Sequence, residues 1–269
     1  MKHGLDKPVH IRFLNFISGA VTLDLGNSYI TDRPVTESIS DSLPATILLA
    51  VVAMLFATII GVAIGLWLAA RGESRLGDFI LSVCALGMSA PSFVVAIIVA
   101  WLFGYVLHTY TGLPMTGGMV VVDPFEGPKL ALAHIILPAF TLGVRPLAVV
   151  IQLTRNSALE VLSQPYIRTA KAKGLSKSRI IMKHVLRNAL NPVITATSGW
   201  FASMLAGAVF VEFVFGWKGM GLLMFQSLEK GDLPVVMGCT IVIATIFVFV
   251  NLCVDLLYAV LDPRVRQTA

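Results

Sequence analysis

Charge is what this sequence has least of. Of its 269 residues 13% are Asp, Glu, Lys or Arg, against about a quarter in soluble domains. Meanwhile 57% are hydrophobic and the mean hydropathy is +0.84. That balance excludes an ordinary soluble globule and reads as an integral membrane protein. Cysteine is scarce as well. Cys84, Cys239 and Cys253 lie in apolar segments at no ligand or redox spacing, so free thiols are expected, with no disulfide and no metal site. Catalytic signatures are missing: there is no HExxH, GxSxG or Walker A pattern, and His134 and His184 stand alone. The chain does not read as an enzyme, and any nucleotide hydrolysis belongs to another chain.

What is abundant is long apolar sequence. Between Asp41 and Arg71 run 29 residues without a charge, more than the roughly 20 that cross a hydrocarbon core. Five spanning helices are expected, at about 44–70, 79–107, 130–153, 189–211 and 233–254, with an external N-terminal segment 1–42 and a transmembrane domain 43–269. An odd number of spans puts the chain ends on opposite sides, and Lys and Arg counts choose between the two orientations. Placing 155–188 in the cytoplasm gives 12 Lys and Arg inside against 7 outside, while acidic residues divide 5 to 10. The C-terminus is therefore expected in the cytoplasm. Residues 1–42 carry nine charges and no apolar segment precedes them in this sequence, so the expectation is a further span ahead of Met1, an atypical truncation, or unaided translocation of a short tail.

Within the spans, Pro91, Pro138 and Pro146 each remove a backbone donor and are expected to bend their helices, either around a pathway or as packing kinks. Arg145 stands ten residues before Arg155, roughly 15 Å along a helix. At that depth an unpaired arginine costs about 2.5–3.5 kcal/mol, so it lines a pathway, meets a structural partner or snorkels. The densest charge is in YIRTAKAKGLSKSRIIMKHVLRNAL (166–190), with seven Lys or Arg and no acid. Its spacing suggests helix, turn at Gly174, helix: Ser176 suits an N-cap, and Arg179, Lys183 and Arg187 share one face. Ala170 and Gly174, four apart, offer a strip for close approach. With Tyr166 as its one aromatic, the run lacks the stacking platform of a nucleic-acid binder. GWKGMG (216–221) has phosphate-loop glycine spacing but no strand before it, and reads as an external turn.

The RTAKAKG segment resembles the cytoplasmic EAA loop of binding-protein-dependent ABC importer permeases. Arg168 and Thr169, where the general pattern has Glu and Ala, are similar to the oligopeptide, dipeptide and nickel branch. RPVTESISDSLPATI, HIILPAFTL, LRNALNPVIT, GAVFVEFVFGWKGMG, DLPVVMG and NLCVDLLYAVLDPRVR follow in that branch's order, so the resemblance covers essentially the whole chain and is nearest the B-type subunit.

What the resemblance implies is an all-α helix bundle of the type I ABC importer permease kind in a bacterial inner membrane. It also implies a first helix ahead of this sequence. Partners would be a second, homologous permease, two ATPase subunits that bind Mg-ATP, an extracytoplasmic substrate-binding protein and membrane lipid; this chain would hold no cofactor. Carried over residue by residue, the ATPase-coupling surface would be Tyr166, Arg168, Thr169, Ala170, Lys171, Lys173 and Gly174. The external segment 212–232 would gate the pathway or meet the binding protein. The competing expectation is a truncated, non-transporting membrane subunit.

Overall fold

The computed structural model describes residues 8–22, 24–72, 74–123 and 127–261. Helices dominate. They are α1 (Val9–Val21), α2 (Val35–Arg71), α3 (Arg75–Ser89), α4 (Ser92–Val99, continued by a π-helical stretch Ala100–Val106), α5 (His108–Thr111) and α6 (Ala133–Ser163). After them come α7 (Pro165–Ala172), α8 (Lys177–Ile180, continued by a π-helical turn Ile181–Val185), α9 (Leu186–Gly207), α10 (Val209–Phe215), α11 (Met220–Glu229) and α12 (Leu233–Leu261). Besides helices, the described residues include two short antiparallel strands, β1 (Val120–Asp123) and β2 (Gly127–Leu130), with Val120 opposite Leu130, and an isolated bridge between Asn27 and Pro34.

Three of these helices, α2, α6 and α12, are long and apolar enough to cross a membrane. The expected span at 79–107 falls on two helices, α3 and α4 with its π-helical continuation, which together are apolar enough for one broken span and are bent by 111°. Pro91 has no N–H to offer the helix and pushes the preceding residue out of helical space; Ala90 accordingly sits extended at φ −72°, ψ 134°, ending α3. Pro138 and Pro146 behave differently, since α6 runs through both without a break. The expected span at 189–211 stops at Gly207, and the turn expected at 216–221 joins α10 to α11 at 85°.

The described residues form two compact units, one within 1–49, 96–138 and 205–249 and the other within 50–95, 139–204 and 250–269. The first has a core of Leu25, Val35, Ile39, Met220, Val235 and Cys239. In the second, Leu68, Cys84, Ala148 and Ile151 pack together. There α2 meets α6 closely because two glycines four residues apart remove the side chains between them: a Cβ on Gly65 would lie 2.6 Å from Thr154 Cβ, and one on Gly61 2.7 Å from Val150 Cγ1.

Candidate functional site

The segment 165–180 belongs entirely to the second unit. Pro165 opens α7 at its first position, where a missing N–H costs nothing. The helix is amphipathic. Ile167 and Ala170 are buried, joining Ala69, Ala158, Ile180, Val185 and Ala189 in one cluster. Tyr166, Arg168, Thr169, Lys171, Lys173 and Gly174 are exposed. Six of the seven residues expected to face a partner are thus exposed. Ala170 is not among them: its methyl packs inward, and its small size lets α7 lie on α6 and the end of α2.

Gly174 owes its place to conformation. Its φ is +77°, and a Cβ there would touch nothing within 4 Å. The Gly174 N–H donates to Lys171 O at 2.9 Å and the Leu175 N–H to Ala170 O at 3.3 Å. This is the Schellman ending, in which a left-handed residue lets the chain satisfy its last carbonyls; Leu175 then packs on the cluster containing Ala170. Ser176 caps α8 by accepting from the Arg179 N–H at 3.4 Å, so helix–turn–helix forms as the spacing anticipates. Beyond it the helix differs from a simple amphipathic one. The π-helical turn inserts one residue, so buried positions run Ile180, Val185, Ala189, Val193, with a step of five and then steps of four. Lys177 Nζ ties this hairpin to α2 by donating to Ala70 O, and the Tyr166 hydroxyl accepts from Asn188 Nδ2 at 3.2 Å.

Arg145 lies twelve residues into α6, exposed, with no ion pair among the described residues. Gln152, Asn156 and Glu160, seven, eleven and fifteen residues on, follow it along one stripe of the helix.

Two buried carboxylates in the first unit escaped the sequence reading. Glu212 is fully buried. Its Oε1 accepts from the Thr46 hydroxyl at 2.6 Å and its Oε2 from the Leu222 N–H at 3.1 Å, while Thr46 Oγ1 accepts from the Met220 N–H at 2.8 Å. Met220 to Leu222 are the first turn of α11, whose N-cap, Gly219, has no side chain; a carboxylate from the preceding helix caps it instead. The glycines of 216–221 thereby acquire specific tasks. Gly216 ends α10 at φ +64°, and a Cβ on Gly219 would lie 2.4 Å from both Glu212 Oε1 and Thr46 Oγ1. The buried Trp217 locks the turn by donating from Nε1 to Ala45 O at 3.0 Å. Asp232 similarly pins the loop before α2, accepting from Ser28 Oγ and, at 3.0 Å, from the Tyr29 N–H. The available signal was Glu212 itself, the one charge between Arg187 and Lys218.

Among the described residues no His, Cys, Asp and Glu gather into a metal-holding group. Residues 61–267 match the family described as binding-protein-dependent transport system inner membrane component. The chain is 39% identical over 281 residues to the dipeptide transport system permease protein DppB of Escherichia coli (strain K12), a match covering 98% of this chain and 83% of that protein. It is 37% identical to the di/tripeptide transport system permease protein of Pseudomonas aeruginosa (98% and 83% covered) and 35% identical to the glutathione transport system permease protein of Salmonella typhimurium (98% and 81%). Among solved structures, an inward-facing MetNI methionine ABC transporter matches with a TM-score of 0.66 at 16% identity, over 83% of this chain and 96% of that one, a likeness of fold.

Proposed function

Because the chain belongs to the family of binding-protein-dependent transport system inner membrane components, we propose that it forms half of a transmembrane pathway for peptides or related small solutes in an ATP-driven importer. Identity of 39% to a dipeptide permease along nearly the whole chain is the observation that carries this reading, and the di/tripeptide and glutathione relatives support the substrate class. A homologous permease completes the pathway, two ATPase subunits hydrolyse Mg-ATP beneath it, and an extracytoplasmic binding protein delivers the solute. The C-terminus and the segment 155–188 lie in the cytoplasm, as their Lys and Arg excess favours.

In this reading α7 is the surface on which an ATPase pushes, through Tyr166, Arg168, Thr169, Lys171, Lys173 and Gly174. Its attachment to two helices supports the role. Only Gln164 separates α7 from α6, and Lys177 is bonded to the end of α2, so displacement of the hairpin acts on two long helices at once. Ala170 serves from within, as a packing residue of that lever. Arg145, exposed on α6, lines the solute pathway. The turn at 212–232, braced by Glu212 and Asp232, meets the binding protein or gates the outer mouth.

The test is reconstitution of the chain with its partner permease, ATPases and binding protein in vesicles. Peptide uptake and ATP hydrolysis that rises with loaded binding protein are expected; a complex that assembles but never responds to binding protein would refute the proposal.

A further inference from the structure

At the foot of α2 a cavity of about 450 Å³ opens against the coupling hairpin, within the second unit. Among the described residues that line it, Arg71, Lys171 and Lys177 are cationic and none is acidic. The remainder of the wall is mainly apolar, from Leu162, Leu175 and Ile180. Lys177 is occupied in part by Ala70 O at the C-terminal end of α2, where it offsets the negative end of the helix dipole. Arg71 and Lys171 are then left to meet an anion.

Depth narrows the class of anion. Trp67 is exposed one turn before Arg71, whose guanidinium carbon stacks 4.5 Å from the indole centroid. A tryptophan followed by a cation at the end of an apolar helix marks the headgroup level of a bilayer. A volume of this size is within the range of small-molecule sites, and its apolar wall with a basic rim suits a phosphate attached to a glycerol and acyl chains better than a phosphate alone.

We propose that this cavity binds the phosphodiester headgroup of an anionic phospholipid of the cytoplasmic leaflet, so that lipid occupancy braces the hairpin against α2. The inference rests on the orientation and coupling role proposed above. It also separates Lys171, which borders the cavity, from Arg168 and Lys173, which do not.

The experiment uses the whole importer in nanodiscs of phosphatidylcholine with added phosphatidylglycerol, and native mass spectrometry to count retained anionic lipid. Retention by the unaltered complex should fall about fivefold with Arg71→Gln and further with Arg71→Gln/Lys171→Gln, while Arg168→Gln leaves it unchanged. Equal retention by all variants would overturn the site. Binding of inorganic phosphate that displaces the lipid would identify a free-phosphate site and also overturn it. So would photocrosslinking from position 171 that reaches an ATPase subunit and never lipid. Binding-protein-stimulated ATP hydrolysis of the unaltered complex with phosphatidylglycerol present is recorded in parallel; its absence breaks the permease reading, whereas lipid retention reports on the cavity independently.

Discussion

At the scale of single residues, Gly174 separates two explanations that its sequence position leaves joined. If a partner needs its small size, any side chain is harmful; if the turn needs its φ of +77°, the damage depends on how the substitute tolerates left-handed backbone. Open space around its Cβ position within the chain favours the second. Gly174→Val should strain the turn by about 1–2 kcal/mol and lower the ratio of peptide uptake to ATP hydrolysis, whereas Gly174→Asn, a residue that visits this conformation, should keep most of it. Equal failure of both would return the explanation to close approach. For Arg145, replacement by Leu should leave membrane insertion intact and reduce uptake or change peptide preference in reconstituted vesicles. Unchanged uptake and preference would make it a packing residue. Both positions could be singled out from sequence, one as a glycine at a helix end and one as a charge in an apolar run. The burial of Ala170 could not, because which side of α7 faces inward depends on packing with Ala69 of α2, about a hundred residues earlier in the chain.

At the scale of elements, the long apolar runs overlap α2, α6 and α12, whereas the interruptions of helices leave little trace in the sequence. All three prolines read alike in the sequence as bends, yet the chain breaks at Ala90 before Pro91 while Pro138 and Pro146 sit inside an unbroken α6; whether proline breaks or merely bends depends on what re-satisfies the freed carbonyls. The π-helical turn at Ile181–Val185 has no mark in composition and emerges from the packing of Ile180 and Val185 into one cluster. The α10–α11 turn shows the same limit. Its glycines were evident, but their purpose required Glu212 and Thr46, which lie 166 residues apart. That arrangement predicts an asymmetry among small substitutions. Gly219→Ala forces a methyl against two hydrogen-bonded oxygens and should cost about 1–3 kcal/mol; Thr46→Val strands Glu212 Oε1 and the Met220 N–H, at a similar cost of about 1–3 kcal/mol. Gly118→Ala, whose new Cβ would meet its nearest neighbour at an ordinary 3.7 Å, should be neutral. Thermal unfolding of the purified complex, or protease cleavage near 216–221, orders the three.

At the scale of the whole molecule, the open matter is how α9 to α12 cross the membrane, since that decides which loops meet the ATPases. By composition, α10 with α11 qualifies as a broken span and α9 does not. Length argues otherwise. The 22 residues of α9 extend about 33 Å, enough for a hydrocarbon core of about 30 Å, whereas the 7 and 10 residues of α10 and α11 reach about 10 and 15 Å and meet at 85°. Two short helices at that angle return to the side they came from, provided their buried polar ends are satisfied, as Glu212 and Trp217 satisfy them here. The polar residues of α9 are then the mark of a helix that meets protein or solute in the assembly, not lipid on every side. On this reading Lys173→Cys should react with a membrane-impermeant maleimide only from the cytoplasmic side, and Lys218→Cys only from the opposite side. Labelling of both from one side would show that α9 does not cross between them, and would place the turn braced by Glu212 on the ATPase side.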